Sequence, residues 1–178
     1  MKNLIAALLF LTLILGACTS SPPSAATVPA SPDPTITPTH GGCSYQWAYH
    51  DLPDLSTEFQ GAIQKLQTEA TAKAYAFGED CEYADGSKTF DAMETNFNIT
   101  LQVTDLADKE ALGNWIVQVM KIILNMPKEK IMGQRGFIIL IFQSGDQNEG
   151  IYFDFYQYQS LPTRFSNTEI YQALKNPK

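Results

Sequence analysis

Chemistry in a chain of 178 residues rests on few side chains, and here the candidates are three cysteines, two histidines, a run of carboxylates and a set of tyrosines and amides. His40 lies in a tract of Pro, Ser and Thr, so serine–histidine or cysteine–histidine catalysis would have to be built around His50. His50 stands beside an expected helix start, where a lone histidine is surface or capping material. A nucleophile-elbow serine, a glycine-rich phosphate loop, HExxH and CxxC are all missing from the sequence. No catalytic residue is assigned.

Glu79, Asp80, Glu82 and Asp85 are the densest carboxylates. Hard cations need several oxygens converging from a loop. This spacing does not match the calcium-loop pattern, and strand alternation would send neighbours to opposite faces. A solvated strand end and turn is expected, with no metal and no cofactor. Asp146, Asn148 and Glu149 make a weaker group in a later turn. Asn98-Ile99-Thr100 matches a glycosylation acceptor by letter only, in the middle of an expected strand.

The remaining candidates are recognition residues. Tyr152, Tyr156 and Tyr158 alternate in "IYFDFYQYQ", and Asn96 and Asn98 alternate in "METNFNITLQVT". Tyrosines beside amides suit binding, because they bury area with little lost freedom and keep a polar handle. Whether these groups share a surface depends on the elements that carry them.

Leu55, Phe59, Ile63, Leu66 and Ala70 recur at helical spacing. Asp51 with Asp54 offers a box-like start, and Pro53 suits the first turn. A strand follows, with Tyr75, Phe77, Cys81 and Tyr83 on one face, then a turn at Asp85-Gly86. In the next strand Met93, Phe97, Ile99, Leu101 and Val103 face one way, and Asn96, Asn98, Thr100 and Gln102 the other. Such alternation implies one buried face and one polar face. Leu112, Trp115, Ile116, Val119, Ile122, Ile123 and Met126 form a second helical stripe, capped by Asp105 or Asp108 and stopped by Pro127. "GFIILIFQ" and "IYFDFYQYQ" read as a hairpin. Ser166 and Glu169 open a short terminal helix.

The expected fold is α+β with two layers: an antiparallel four-stranded sheet with two helices on one face. The order αββαββ equals a ferredoxin-like plait with its first strand moved to the end. In that arrangement Tyr152, Tyr156 and Tyr158 lie on the uncovered face beside Asn96 and Asn98, unless Trp47, Tyr49 or the C-terminal segment folds over them.

The start of the chain carries an address. Lys2 precedes an apolar run from Leu4 to Leu15, too short for the roughly 20 residues of a membrane span. The run ends in Leu15-Gly16-Ala17-Cys18. That sequence closely resembles the bacterial lipoprotein signal, an apolar residue and two small residues before a cysteine. The resemblance covers the first 18 residues and implies cleavage before Cys18, with lipid on its thiol. The plainer alternative is an ordinary cleavable signal with a chance cysteine. Residues 1–17 are thus expected to be a signal peptide and 18–42 a lipidated cysteine with a disordered tether, because a Pro/Ser/Thr/Ala tract with almost no charge or hydrophobic period cannot bury a core. Residues 43–178 are expected to be one domain. The rest of the chain looks like one of the uncharacterised families of small exported bacterial domains, and that likeness carries no site residues.

With Cys18 given to lipid, Cys43 and Cys81 remain. In an oxidising compartment the simplest outcome is one disulfide. A metal pair is the alternative and lacks further ligands. "CSYQWAYHD" also alternates, with Tyr45, Trp47 and Tyr49 on one side, and is a rival extra strand. In a simple plait that strand would start at the sheet edge opposite Cys81. The disulfide therefore argues for the aromatic segment lying over the sheet or helix instead.

The formal charge of −7 is repelled by phosphate backbones, so nucleic acid is excluded as an expected partner. The expectation is an extracytoplasmic domain held on a cell or outer membrane through lipid on Cys18, binding a protein or small-ligand partner. The alternatives are an envelope hydrolase using carboxylates such as Glu79 or Asp154, and a structural or stress-related envelope protein.

Overall fold

The computed structural model describes residues 42–176. In chain order these form β1 (Ser44–Asp51), α1 (Pro53–Gln64), β2 (Thr71–Glu82), β3 (Lys88–Gln102), α2 (Lys109–Asn125), a single 3-10 turn (Lys128–Lys130), β4 (Gln134–Ser144), β5 (Gln147–Asp154), α3 (Phe155–Gln159) and α4 (Asn167–Lys175). The expected signal peptide, Cys18 and the tether up to residue 41 lie outside the described residues.

The α+β class holds, and the sheet differs from the expected one. It has five strands in the order β1-β2-β3-β4-β5. Three neighbouring pairs are antiparallel, and β3 with β4 is parallel. Spatial order follows chain order, so the interleaved ferredoxin-like plait is corrected. A crossover helix explains the parallel pair: α2 carries the chain back to the end where β3 began. The two-residue turn at Gly145, φ +57°, makes β4 and β5 an antiparallel hairpin, as expected.

The extra strand is the aromatic segment, so the preference for it lying over the sheet or helix is also corrected. Ser44 pairs with Glu82, and Asp51 with Tyr75. The chain then runs on along β2 as a helix. Leu52 N–H donates to Ala74 O at 3.3 Å, the Ser56 hydroxyl donates to Ala74 O at 2.9 Å, and Gln60 Nε2 donates to Ala70 O at 2.8 Å. Gln60 Oε1 accepts in return from Ala72 N–H, and Ser56 Oγ from Ala74 N–H. So β1 and α1 together form one arm of a hairpin against β2. Where β1 stops, α1 side chains satisfy the backbone groups that a bare edge would leave open. No crossover intervenes, and β1 is therefore antiparallel to β2. Asp51 ends β1 rather than capping α1, whose N-cap position is taken by Leu52 without a side-chain bond.

Core packing occupies one sheet face. Phe97, Ile99 and Leu101 of β3, Ile138, Leu140 and Phe142 of β4 and Ile151 and Phe153 of β5 meet Leu55, Phe59 and Ile63 of α1, the stripe of α2, and Tyr171 and Leu174 of α4. Met93 departs from its expected place on this face and is exposed. A bulge at Phe77/Gly78, where Phe77 pairs with Glu94 but Gly78 with Ala92, reverses the alternation there.

Candidate functional site

Among the described residues no helix covers the second sheet face. Cross-strand partners share a face, so the register assembles it row by row. Trp47, Glu79 and Asp91 form one row; Tyr49, Phe77 and Glu94 the next; Asp51, Tyr75 and Asn96 a third. Lys73, Asn98, Ile139 and Tyr152 form a fourth. Central β3 thus contributes a polar strip, and the strands on either side contribute aromatic rings.

The rings are organised. Trp47 stacks on Phe77 with centroids 5.4 Å apart, and Tyr49 touches both Phe77, at 4.9 Å, and Tyr75, at 5.5 Å. On the other side Phe137 stacks on Tyr152 at 4.9 Å. Trp47, Tyr49 and Tyr152 each keep more than half of their surface open, at 55%, 67% and 56%. Tyr45 continues the band at the disulfide end. Aromatic residues exposed in a contiguous group rather than singly mark a binding surface.

The polar strip is tightly placed. Asn96 is buried, and its Oδ1 accepts from Phe137 N–H across a second bulge in the β3–β4 pairing. Gly136 opposite has no side chain, and a Cβ there would come within 2.4 Å of Asn96 Oδ1 and 2.6 Å of Glu94 Cδ. The glycine at 136 leaves room for the Glu94 and Asn96 side chains to lie across β4. Asn98 stands beside the Tyr75 hydroxyl, and its buried Oδ1 has no partner among the described residues. Burial pushes the Tyr75 hydroxyl pKa up, and neighbouring Tyr49, Tyr152 and Glu94 push it further against the Asn98 amide. Burial raises Tyr152 too, helped by Tyr49 and Glu94. Phenols from both edge strands and from β2 therefore share the face that the central strand carries.

The sequence-derived site residues divide. Tyr152, Asn96 and Asn98 lie on this face. Tyr156 and Tyr158 do not extend the strand, because Asp154 accepts from Gln157 N–H at 2.7 Å and starts α3. Tyr156 is exposed at the sheet end, donating to Gln134 Oε1 at 3.2 Å, where it lines a shallow hollow of about 490 Å³ with Met126 and Arg135. Arg135 is committed there to the carbonyls of Ile123 and Met126, which lie at the C-terminal end of α2. Tyr158 turns toward Phe153 and the core, its hydroxyl pKa raised by burial. Tyr49, Tyr75 and Glu94 are not site residues in the sequence reading; the alternation in "CSYQWAYHD" signals Tyr49, while Tyr75 and Glu94 join it only through the strand register and the bulge.

Cys43 and Cys81 form the expected disulfide, with Cα atoms 5.3 Å apart. His50 Nε2 lies 2.9 Å from Asp80 Oδ1, and its ring stacks on Phe90 at 4.0 Å. Glu79 and Asp154 stand on β2 and at the end of β5, with two strands between those carriers, and Asp154 is occupied as a cap. Among the described residues no group of three or more His, Cys, Asp or Glu is placed to hold a metal. Among them, too, no helix is long and apolar enough to cross a membrane. No protein-family model, curated protein or solved structure matches the chain.

Proposed function

We propose that this chain is a membrane-anchored extracytoplasmic lipoprotein whose domain is a binding module, with the helix-free sheet face as its recognition surface. One observation carries the binding reading: an aromatic band, open to solvent, flanks a strip of ordered amides, while the core lies entirely on the other face. Holding Trp47, Tyr49 and Tyr152 in water forfeits the burial each would gain elsewhere, on the order of 2 kcal/mol apiece. A ligand that covers them recovers it. The polar strip supplies the directional contacts that an apolar patch lacks.

The address rests on the sequence Leu15-Gly16-Ala17-Cys18 and on the tether behind it. Two or three acyl chains on Cys18 would hold the domain permanently, since each buried CH₂ contributes about 0.8 kcal/mol. Cys18→Ser is expected to abolish incorporation of a fatty-acid analogue in a bacterial host, and persistent labelling would overturn the anchor.

The binding reading is tested by screening small molecules and peptides against the full chain in detergent, read by NMR. Ligands should move resonances of Tyr49, Asn98 and Tyr152 and leave those of α2 and α4 in place. Hits confined to the helix layer would sink it.

A further inference from the structure

The helix-free face is acidic as well as aromatic. The register places Asp51, Glu79, Asp91, Glu94 and Asp154 on it, against Lys73. Lys73 is already neutralised by Asp51 at 2.7 Å. Two acceptors lie at its centre: the Glu94 carboxylate beside Gly136, and Asn98 Oδ1, which has no partner among the described residues. Above them stand the rings of Tyr49, Tyr75 and Tyr152. A surface of π faces, acceptors and a carboxylate complements positive charge. It is poor at taking an anion, which would meet Glu94 and, among the described residues, no free cation on this face.

We propose that Tyr49, Tyr75 and Tyr152, with Glu94 and the Asn98 carbonyl at their base, receive the ammonium group of a small free organic cation. This rests on the reading of the helix-free face as the recognition surface and names its ligand class. Aromatic faces attract a cation through the ring quadrupole, and the attraction grows when the cation is desolvated. Glu94 supplies full countercharge at the half-buried end of the strip. Asn98 Oδ1 is closed to solvent and gives an ammonium of either kind a charge–dipole contact from beneath the rings.

Size selects a small molecule over a protein. Four rows along the strands and four strand spacings across measure roughly 20 Å by 19 Å, about 400 Å², against about 800 Å² per partner in a standard protein interface. The face is shallow, which suits one group presented end-on.

The test is a titration of the full chain in detergent with choline, read by the ring resonances of Tyr49, Tyr75 and Tyr152. Its neutral carbon isostere, 3,3-dimethyl-1-butanol, and ethanolamine run in parallel at matched ionic strength. Saturable shifts with choline or ethanolamine, at least tenfold weaker with the isostere, are expected. Glu94→Gln should weaken cation binding about tenfold. Tyr152→Phe should retain it, and Tyr152→Ala should lose it. Equal binding of the isostere would overturn the cation assignment while leaving the face a binding surface. Binding seen only with phosphatidylcholine vesicles, or only with a lysine-rich peptide, would overturn the small free ligand. No shift with any cation would overturn the assignment as well, and the broader screen then decides the fate of the face.

Discussion

Cys43 and Cys81 are joined because β1 lies antiparallel to β2, with Tyr45 opposite Cys81. The bond therefore staples the outer end of a strand that stands at the sheet edge among the described residues. It closes a loop of 38 residues, which in the chain-entropy model stabilises the fold by up to about 4 kcal/mol. Cys81→Ser should lower the urea midpoint accordingly, followed by far-UV circular dichroism. Reduction of the natural protein should give the same shift. A midpoint unmoved by reductant would show that the β1–β2 ladder alone holds the edge.

That same bond exposes what sequence periodicity does and does not encode. Leu55, Phe59 and Ile63 of α1 and the alternation Phe97, Ile99, Leu101 are legible because burial follows period directly, whereas Leu66 and Ala70 continue the helical spacing in letters but lie beyond the helix end at Gln64. So are the capping box Ser166–Glu169 and, of the two candidates Asp105 and Asp108, the cap that the structure assigns to Asp108. Met93 was misplaced because a bulge inserts one residue, and a period-2 pattern carries no mark of it. The β1 alternation was visible, yet its neighbour was not: pairing depends on α1 running on along β2 instead of crossing over, a tertiary choice set by Ser56 and Gln60. The end of β5 was misjudged because alternation continued in letters while Asp154 started a helix in fact. On the candidate face, Tyr152, Asn96 and Asn98 were readable, and their partners Tyr49 and Tyr75 waited on the order of strands.

Glu149 ties three elements together. Its carboxylate accepts from Lys109 of α2 and from Tyr171 of α4, and forms an ion pair with Lys175 of α4 at 3.2 Å. Burial alone would raise its pKa, but the bonds from Tyr171, Lys109 and Lys175 outweigh that and hold it below the ordinary value. A carboxyl depressed on folding stabilises the fold above its unfolded pKa, about 4.3, and that contribution disappears as pH falls through the lower folded value. Burial would lower the Lys109 pKa, and Tyr171 and Glu149 reverse this to leave it raised. Its contribution is present below the unfolded lysine value, about 10.4, and is lost as pH rises past the folded one. Glu149→Gln should cost about 1–3 kcal/mol at neutral pH and flatten the acid limb of the stability profile. An unchanged acid limb would refute the role.

Gly113 lets α2 and α4 touch. A Cβ there would lie 1.9 Å from the backbone oxygen of Asn167, at the start of α4. That start is also held by Glu110, which accepts from Asn167 Nδ2 and from the Thr168 amide and hydroxyl. Glycine to alanine inside a helix ordinarily gains up to about 1 kcal/mol. Here Gly113→Ala should instead cost about 1–3 kcal/mol, the usual penalty of overpacking, and loosen α4 first. Hydrogen exchange should quicken in Thr168–Lys175 before the sheet is affected. A stabilised variant would mean that the helices are not in contact at this point.

The two faces of the sheet should answer truncation differently, and this separates recognition from folding. Phe97 is fully buried beneath α1, edge-on to Phe59 at 5.1 Å. Phe97→Ala should cost about 3–5 kcal/mol, a large part of the stability of a domain of this size. Trp47 and Tyr152 are of similar or greater bulk, but each is more than half exposed and packs on one flanking ring. Trp47→Ala and Tyr152→Ala should each cost no more than about 1 kcal/mol, the scale of one aromatic pair. Thermal unfolding of the three variants checks the contrast. If the open-face variants unfold as readily as Phe97→Ala, these rings serve the fold, and their exposure loses its meaning as a binding surface. If they stay folded, the lost free energy is small enough that any loss of ligand binding belongs to the missing rings.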